Sequence, residues 1–337
     1  MTKRALSQAQ LAVVQAVRTG LVGVDAGARI VRVRVACSGG ADSLALAAGL
    51  AWLDAREPDP LRRSCAMVVD HGLQDGSARV AASVVAVLSR LGMDAESARV
   101  AVPLDAPDGL EAAARRARYE VLTSGDANIV LVGHTMDDQA ETVLLGLARG
   151  SGTRSLAGMP SRWTVGDVQL IRPLLGLRRV ATRQACADWG LTPWDDPMND
   201  DTRFARVRAR RLLPDLDAAL GPGIVEALGR TAALTRDDAD YLDQAAAELL
   251  QQAGQPGSLP VNVLAGAPQA LRGRLLRQWL AVGGVAELSY ERTKAVLSLV
   301  DGWRGQAGVD LPGGRRVTRI DGELRLGQPV NWGHELV

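Results

Sequence analysis

The sequence is poor in lysine and cysteine and contains no long apolar run. Of its 39 basic residues only Lys3 and Lys294 are lysine, and the rest are arginine. Its three cysteines, Cys37, Cys65 and Cys186, are widely spaced and odd in number, and no CxxC occurs. This excludes a disulfide scaffold, a zinc ribbon and a thioredoxin-type redox site, each of which needs paired ligands. Such cysteine usage points to the reducing cytosol. No stretch approaches the ~20 apolar residues of a membrane-crossing helix. The segment opening Met1-Thr2-Lys3-Arg4 has no signal-peptide core, so no membrane partner and a cytoplasmic location are expected. Net charge is nearly absent too, with 39 Lys and Arg against 38 Asp and Glu. A protein that coats nucleic acid through bulk charge is thereby excluded.

The charge that is present is segregated. Residues 1–34 hold six basic residues and one acid, Asp25, and residues 203–211 hold five arginines and no acid. Arginine matters wherever planar contact with phosphate or a base is needed. A few arginine contacts on a balanced chain predict moderate, salt-sensitive binding of one nucleic acid.

At 337 residues the chain has room for about two domains. An amphipathic helix is expected over 6–18. Residues 30–36 alternate as a strand does, and a helix follows to about Leu53. Short apolar runs at 65–69 and 129–132 read as buried strands, and 100–102 as a further strand. Helices are expected over 77–91, 110–122 and 136–148. This rhythm of strand and helix implies βαβ units, hence a doubly wound, mostly parallel α/β sheet. Residues 168–171 could add a strand and 177–189 a helix, before an irregular polar stretch from 194 to 203. Pro214, Gly221, Pro222 and Gly223 cluster at a boundary. It divides a catalytic domain, 1–216, from a mainly helical domain, 217–337, ending in a β-hairpin that turns at Asp321-Gly322.

Several segments carry chemistry. Ser38-Gly39-Gly40-Ala41-Asp42-Ser43 links the first strand to its helix. Its glycines let the backbone approach a ligand, and the free amides of the helix start attract an anion. An ordinary capped glycine turn is the bland reading of such a segment. Its place at the carboxyl edge of a parallel sheet, where ligands bind, favours a phosphate cradle. Asp70-His71-Gly72-Leu73 leaves the second strand at the same edge. In the helix after Gly109, Glu111, Arg115 and Arg118 share a face, which could equally be a solvated ion-paired surface. Gly133-His134-Thr135-Met136-Asp137-Asp138-Gln139-Ala140-Glu141 again leads from strand to helix. Asp138 and Glu141, three apart, can jointly hold Mg²⁺ or an ammonium group, although first-turn acids are also ordinary dipole partners. Further on come Arg172-Pro173-Leu174-Leu175, Asp196-Pro197-Met198-Asn199 and the arginines at 206, 208, 210 and 211.

The segment Ser38 to Ser43 resembles the PP-loop of the ATP pyrophosphatases, which split ATP to AMP and pyrophosphate. Taken in order over about residues 31–213, the segments are similar to those of the tRNA(Ile)-lysidine synthetases. The run from Gly133 through Gly152 to Met159 carries most of the likeness, with the pairing of Arg172-Pro173-Leu174-Leu175 and Asp-Pro-x-Asn. Two departures are visible: Gln74 stands where the family often has arginine, and Arg206-Val207-Arg208-Ala209-Arg210 replaces Arg-Asn-x-x-Arg.

The resemblance implies a ligase using ATP and Mg²⁺ on tRNA(Ile) with a CAU anticodon and free L-lysine. The C-2 oxygen of the wobble cytidine is adenylated, and the lysine ε-amine then displaces AMP to form lysidine. Decoding switches from AUG to AUA, and charging from methionine to isoleucine. It further implies that Ser38, Gly39, Gly40, Ala41, Asp42, Ser43, Asp70, His71, Gly133 and His134 bind ATP. Asp138, Glu141 and Arg115 would bind lysine, and Asp42 and Asp138 the metal, with Asp42, Asp138 and Glu141 catalytic. Asn199, Arg206, Arg208 and Arg210 would contact tRNA. A thiolase of the same superfamily would need paired cysteines, and a PP-loop amidotransferase a glutaminase domain, neither of which is visible. The oligomeric state is left open, a homodimer among the options.

Overall fold

A computed structural model describes residues 5–24, 30–72, 74–103, 109–253, 257–285 and 288–327. The chain divides into two compact units, Met1–Leu234 and Thr235–Val337.

In the first unit, helix α1 (Gln8–Leu21) precedes strand β1 (Val31–Ala36), helix α2 (Ala41–Arg56) and strand β2 (Arg62–Asp70). Then come α3 (Ser77–Arg90), β3 (Asp94–Arg99), α4 (Leu110–Thr123), β4 (Ile129–Val132) and α5 (Met136–Ala148). A short α6 (Thr153–Leu156) leads to the hairpin β5 (Arg162–Val165) and β6 (Val168–Ile171), followed by α7 (Arg179–Asp188) and α8 (Ala205–Leu220). The six strands lie in the order β3-β2-β1-β4-β6-β5, parallel except for β5. After β1 the chain builds outward through β2 and β3, then returns to the other side of β1 with β4. The topological switch point therefore lies between β1 and β4, where a crevice opens at the strands' carboxyl ends.

Alternation along the strands sorts the core. Val33, Val35, Ala66, Val68, Ile129, Leu131 and Ile171 face the side packed by α1, α2, α3 and α7. Met67, Val130, Val132, Val168 and Leu170 face Leu122 and Tyr119 of α4. Strands buried on both faces read as continuous apolar runs, which is how β4 announced itself.

Two strands depart from expectation. The third strand is 94–99, not 100–102. It is an edge strand with the sequence Asp-Ala-Glu-Ser-Ala-Arg, mostly exposed, so it lacks the apolar signature of a buried strand. The edge strand β5 likewise has no apolar signature, because Arg162 to Val165 is only partly covered.

The second unit contains the later part of α9 (Ile224–Gln252), β7 (Ser258–Pro260), α10 (Val261–Gly266), α11 (Gln269–Val282) and α12 (Tyr290–Asp301). Strands β8 (Val309–Asp310), β9 (Arg316–Ile320) and β10 (Glu323–Gly327) follow. The hairpin β9–β10 is present, and it forms the centre of a four-stranded sheet, β7-β10-β9-β8. Leu275, Leu276, Trp279, Leu280, Val296 and Leu324 fill this unit's own core.

Candidate active site

A cleft of about 710 Å³ opens at the switch point, lined by residues that include Ser38, Asp42, Asp70, His71, Gly133, His134, Asp138, Asn199 and Arg210. Its floor is the loop between β1 and α2. Gly39 has a φ of +87°, and a Cβ there would lie 2.5 Å from Val84 Cγ2, so no other residue fits without rearrangement. The Ser43 hydroxyl accepts from Ser38 N at 3.1 Å and donates to Gly40 O at 3.0 Å, closing the loop on itself. Gly133, at the end of β4, sits so near α2 that a Cβ would lie 3.0 Å from the Asp42 carbonyl carbon and oxygen. Trp194 N donates to Gly39 O at 3.0 Å, which brings the irregular 194–200 stretch over the loop. Gln74 Nε2 donates to Asp196 Oδ1 at 2.9 Å and ties that stretch to the β2 exit.

Above the loop three carboxylates converge on one guanidinium. Arg179, at the start of α7, donates to Asp138 Oδ1 at 2.6 Å, to Glu141 Oε1 at 3.3 Å and to Asp42 Oδ2 at 3.4 Å. Asp138 is fixed by a capping box, its Oδ2 accepting from Thr135 N and Oγ1, both at 2.8 Å. Asp42 also accepts from the Thr182 hydroxyl. Glu141, with a side chain 0% exposed, accepts from Arg210 Nε at 2.7 Å as well. It therefore braces two arginines from beneath the cleft and does not line it.

The environments of the two aspartates pull apart. Burial raises the Asp42 carboxyl above its ordinary range, and the nearby Asp138 charge adds to this against the opposing Thr182 and Arg179 contacts. Burial acts on Asp138 as well, but Arg179 and the Thr135 hydrogen bonds outweigh it and hold this carboxyl below its ordinary range. The Asp70 carboxyl also lies low: burial opposes its charge, and the Gly72 amide bond, Ser77 and Arg99 overcome that.

Arg179 was not anticipated from the sequence. It follows Arg172-Pro173-Leu174-Leu175 by a few residues, and that spacing was its only signal. Its presence bears on the metal: Asp42 and Asp138 both accept from this guanidinium, so a cation between them, divalent or ammonium, would have to displace Arg179. Among the described residues no group of three His, Cys, Asp or Glu side chains is placed to hold one.

The remaining expected residues separate by position. Arg118, not Arg115, is the α4 arginine that lines the cleft. Arg115 is exposed and lies over the Tyr119 ring at 5.1 Å. The side chain of Glu111 and the residue Leu73 lie outside the described residues. Arg206 and Arg210 are half-buried on one face of α8, whereas Arg208 is exposed and caps the carbonyls of Thr202 and Arg203 at 2.7 and 2.8 Å. The cysteines are held as thiols: burial, helped by Asp42, pushes Cys186 up to about 12, and burial also raises Cys37 and Cys65.

These features have close relatives. A family model for a PP-loop domain matches residues 13–216, and one for a TilS substrate binding domain matches 259–325. A tRNA(Ile)-lysidine synthase from Salinispora arenicola is 48% identical over 336 residues, covering 96% of this chain and 98% of the relative. The chain belongs to the tRNA(Ile)-lysidine synthase family. Another member, from Rhodococcus erythropolis, is 47% identical over 327 residues, covering 96% of this chain and 95% of its own. Among solved structures, the U34-tRNA thiolase NcsA from Methanococcus maripaludis superposes with a TM-score of 0.54 at 18% identity. It covers 66% of this chain and 78% of its own, a likeness of fold. In this member of the synthase family the PP-loop is the cleft floor, and the family's substrate-binding segment falls in the second unit. No helix among the described residues is long and apolar enough to cross a membrane.

Proposed function

We propose that the chain is an ATP-dependent ligase that converts the wobble cytidine of tRNA(Ile) with a CAU anticodon to lysidine, with free L-lysine as co-substrate. The observation that carries this reading is the carboxylate cluster wrapped around a cation beside the PP-loop. A pocket that holds a guanidinium at the edge of a phosphate cradle has the chemistry to hold a lysine ammonium next to an adenylate.

The first step joins the C-2 oxygen of cytidine to the α-phosphorus of ATP and releases pyrophosphate. The loop amides at residues 38–43 stabilise the charge that develops on the leaving group. In the second step the lysine ε-amine attacks C-2, a carbon–nitrogen bond forms, and the carbon–oxygen bond to AMP breaks. Asp138, held ionised, orients the ammonium. Asp42, with its raised proton affinity, takes the proton the amine must lose. Mg²⁺ enters this reading only as the companion of the ATP phosphates. Arg206, Arg210 and Asn199 line the side by which tRNA approaches. The two-unit division is taken to follow the labour, with adenylation in the first unit and tRNA selection in the second. A homodimer is not required by any step.

The test is incubation with ATP, radiolabelled lysine and total bacterial tRNA. Label in tRNA, lost with Asp42→Ala or Asp138→Ala, is the expected result. ATP turnover without label, or near-normal labelling by either variant, would overturn the reading.

A further inference from the structure

His134 and Arg172 form a pair that the steps above do not use. Arg172 sits at the end of β6, 3% exposed. Its Nη1 donates to Pro160 O at 2.6 Å, its amide donates to Ser161 O at 2.8 Å, and its guanidinium lies 3.8 Å from the centre of the Trp163 ring. The turn carrying Pro160 is itself clamped: Gln139 accepts from Met159 N at 2.7 Å and donates to Met159 O at 3.2 Å. Thus the guanidinium has almost no freedom. What its Nε–H meets at 2.9 Å is not a carboxylate but the Nδ1 of His134.

Donor and acceptor arithmetic then decides the state of the imidazole. A guanidinium keeps all its protons, so its Nε–H must donate. Nδ1 must therefore offer a lone pair, because a protonated Nδ1 would set N–H against N–H. The single ring proton is left to Nε2, on a residue that lines the cleft.

We infer that Arg172 is a positioning residue that locks His134 as the neutral Nε2–H tautomer, so that His134 presents a hydrogen-bond donor to an oxygen of the reacting substrate. The surrounding groups agree. Burial, together with Arg172, Arg118 and Arg206, disfavours the imidazolium and outweighs Asp138, which favours it; the ring is lowered to about 3. A neutral imidazole donor can polarise an oxygen without gaining or losing a proton. The acceptor is a phosphoryl oxygen of the nucleotide or the carbonyl oxygen of the base, and this part rests on the adenylation reading. The tautomer does not, since it is a property of the unliganded chain.

The tautomer can be read by two-dimensional ¹⁵N–¹H correlation through the ring protons. The sequence has three histidines, and His134→Gln assigns the signal. At neutral pH one protonated nitrogen, Nε2, is expected. An Nδ1–H or an imidazolium would overturn the inference, whatever the enzyme's activity. Arg172→Gln is expected to release the ring into a tautomer mixture; an unchanged pattern would show that Arg172 does not set it. For function, His134→Gln places an amide donor near the position of Nε2, and His134→Asn does not. Asn is expected to cost about 10²–10³-fold in rate, the scale of removing one preorganised donor, with Gln recovering part of it. A loss expressed in the ATP KM assigns a phosphoryl acceptor; a loss in kcat alone assigns the carbonyl. Equal activity of Gln and Asn in a labelling-competent enzyme would overturn the donor role. Absence of labelling in the wild-type chain would instead overturn the adenylation reading and leave the tautomer result standing.

Discussion

Arg179 is the residue around which the carboxylates of the cleft are arranged. Glu141 is fully buried, and Arg179 and Arg210 both pair with its charge. Removing one partner of a buried ion pair costs about 3–5 kcal/mol, because the remaining charge stays buried. With Arg210 still present, Arg179→Ala is expected to lose stability at the lower end of that range, read as a shift in urea midpoint at constant m. Glu141→Gln should lose less, since it removes the buried charge itself. His134 provides a second prediction. Its folded-state value is depressed from the ordinary 6.5 to about 3, so its contribution is fully present above pH 6.5. As pH falls from 6.5 toward 3, the unfolded chain takes up a proton that the folded chain refuses, and stability declines. His134→Gln should flatten that decline in unfolding curves measured across the window; an unchanged slope would show that His134 is not held neutral in the folded chain.

At the scale of elements, the loop between β1 and α2 works because its backbone can go where a side chain cannot. Gly39→Ala must adopt a φ of +87° and push its Cβ into Val84. A cost of about 1–2 kcal/mol from the conformation alone is expected, with at least tenfold weaker ATP binding by equilibrium dialysis. The 194–200 stretch is held over the loop by Trp194 and by Gln74. Gln74→Ala should therefore raise the KM for ATP while leaving the urea midpoint almost unchanged. Legibility also belongs to this scale. Strands β2 and β4 could be read because burial on both faces leaves an apolar run between turn signals, strand β1 from its alternation, and the helices beginning at Ala41 and Met136 from the strand-to-helix turns ahead of them. Strands β3 and β5 could not, because an edge strand with charged or half-covered side chains looks like a loop. The carboxylates of the site were legible as residues, since Asp138 and Glu141 are spaced to share a helical face. Their partner Arg179 was not, because it comes from a helix about forty positions away along the chain.

At the scale of the whole molecule, balanced charge and local basic segments set the expected behaviour toward tRNA. About three phosphate contacts would reduce affinity by roughly 10–100-fold between 50 and 200 mM salt. Filter binding across that range checks it, and a salt-independent affinity would show that the arginines of α8 do not meet phosphate. Arg206→Ala should make the slope shallower, whereas Arg208→Ala and Arg210→Ala should each change it less, because Arg208 is committed to the Thr202 and Arg203 carbonyls and Arg210 to the buried Glu141.

The parallel α/β architecture, the glycine-built phosphate loop and the kinds of charged group at the switch point are all encoded locally along the chain. These are written in short-range patterns: alternation, helical spacing and turn residues. Which charges meet is settled by the packing of distant elements. That packing placed Arg179 among three carboxylates and sent Glu141 beneath the cleft. It chose Arg118 over Arg115 on α4, and it set Arg172 against His134. Each of these pairings joins elements distant in sequence. Its energy depends on burial and on separations of a few ångströms, which local sequence patterns do not encode.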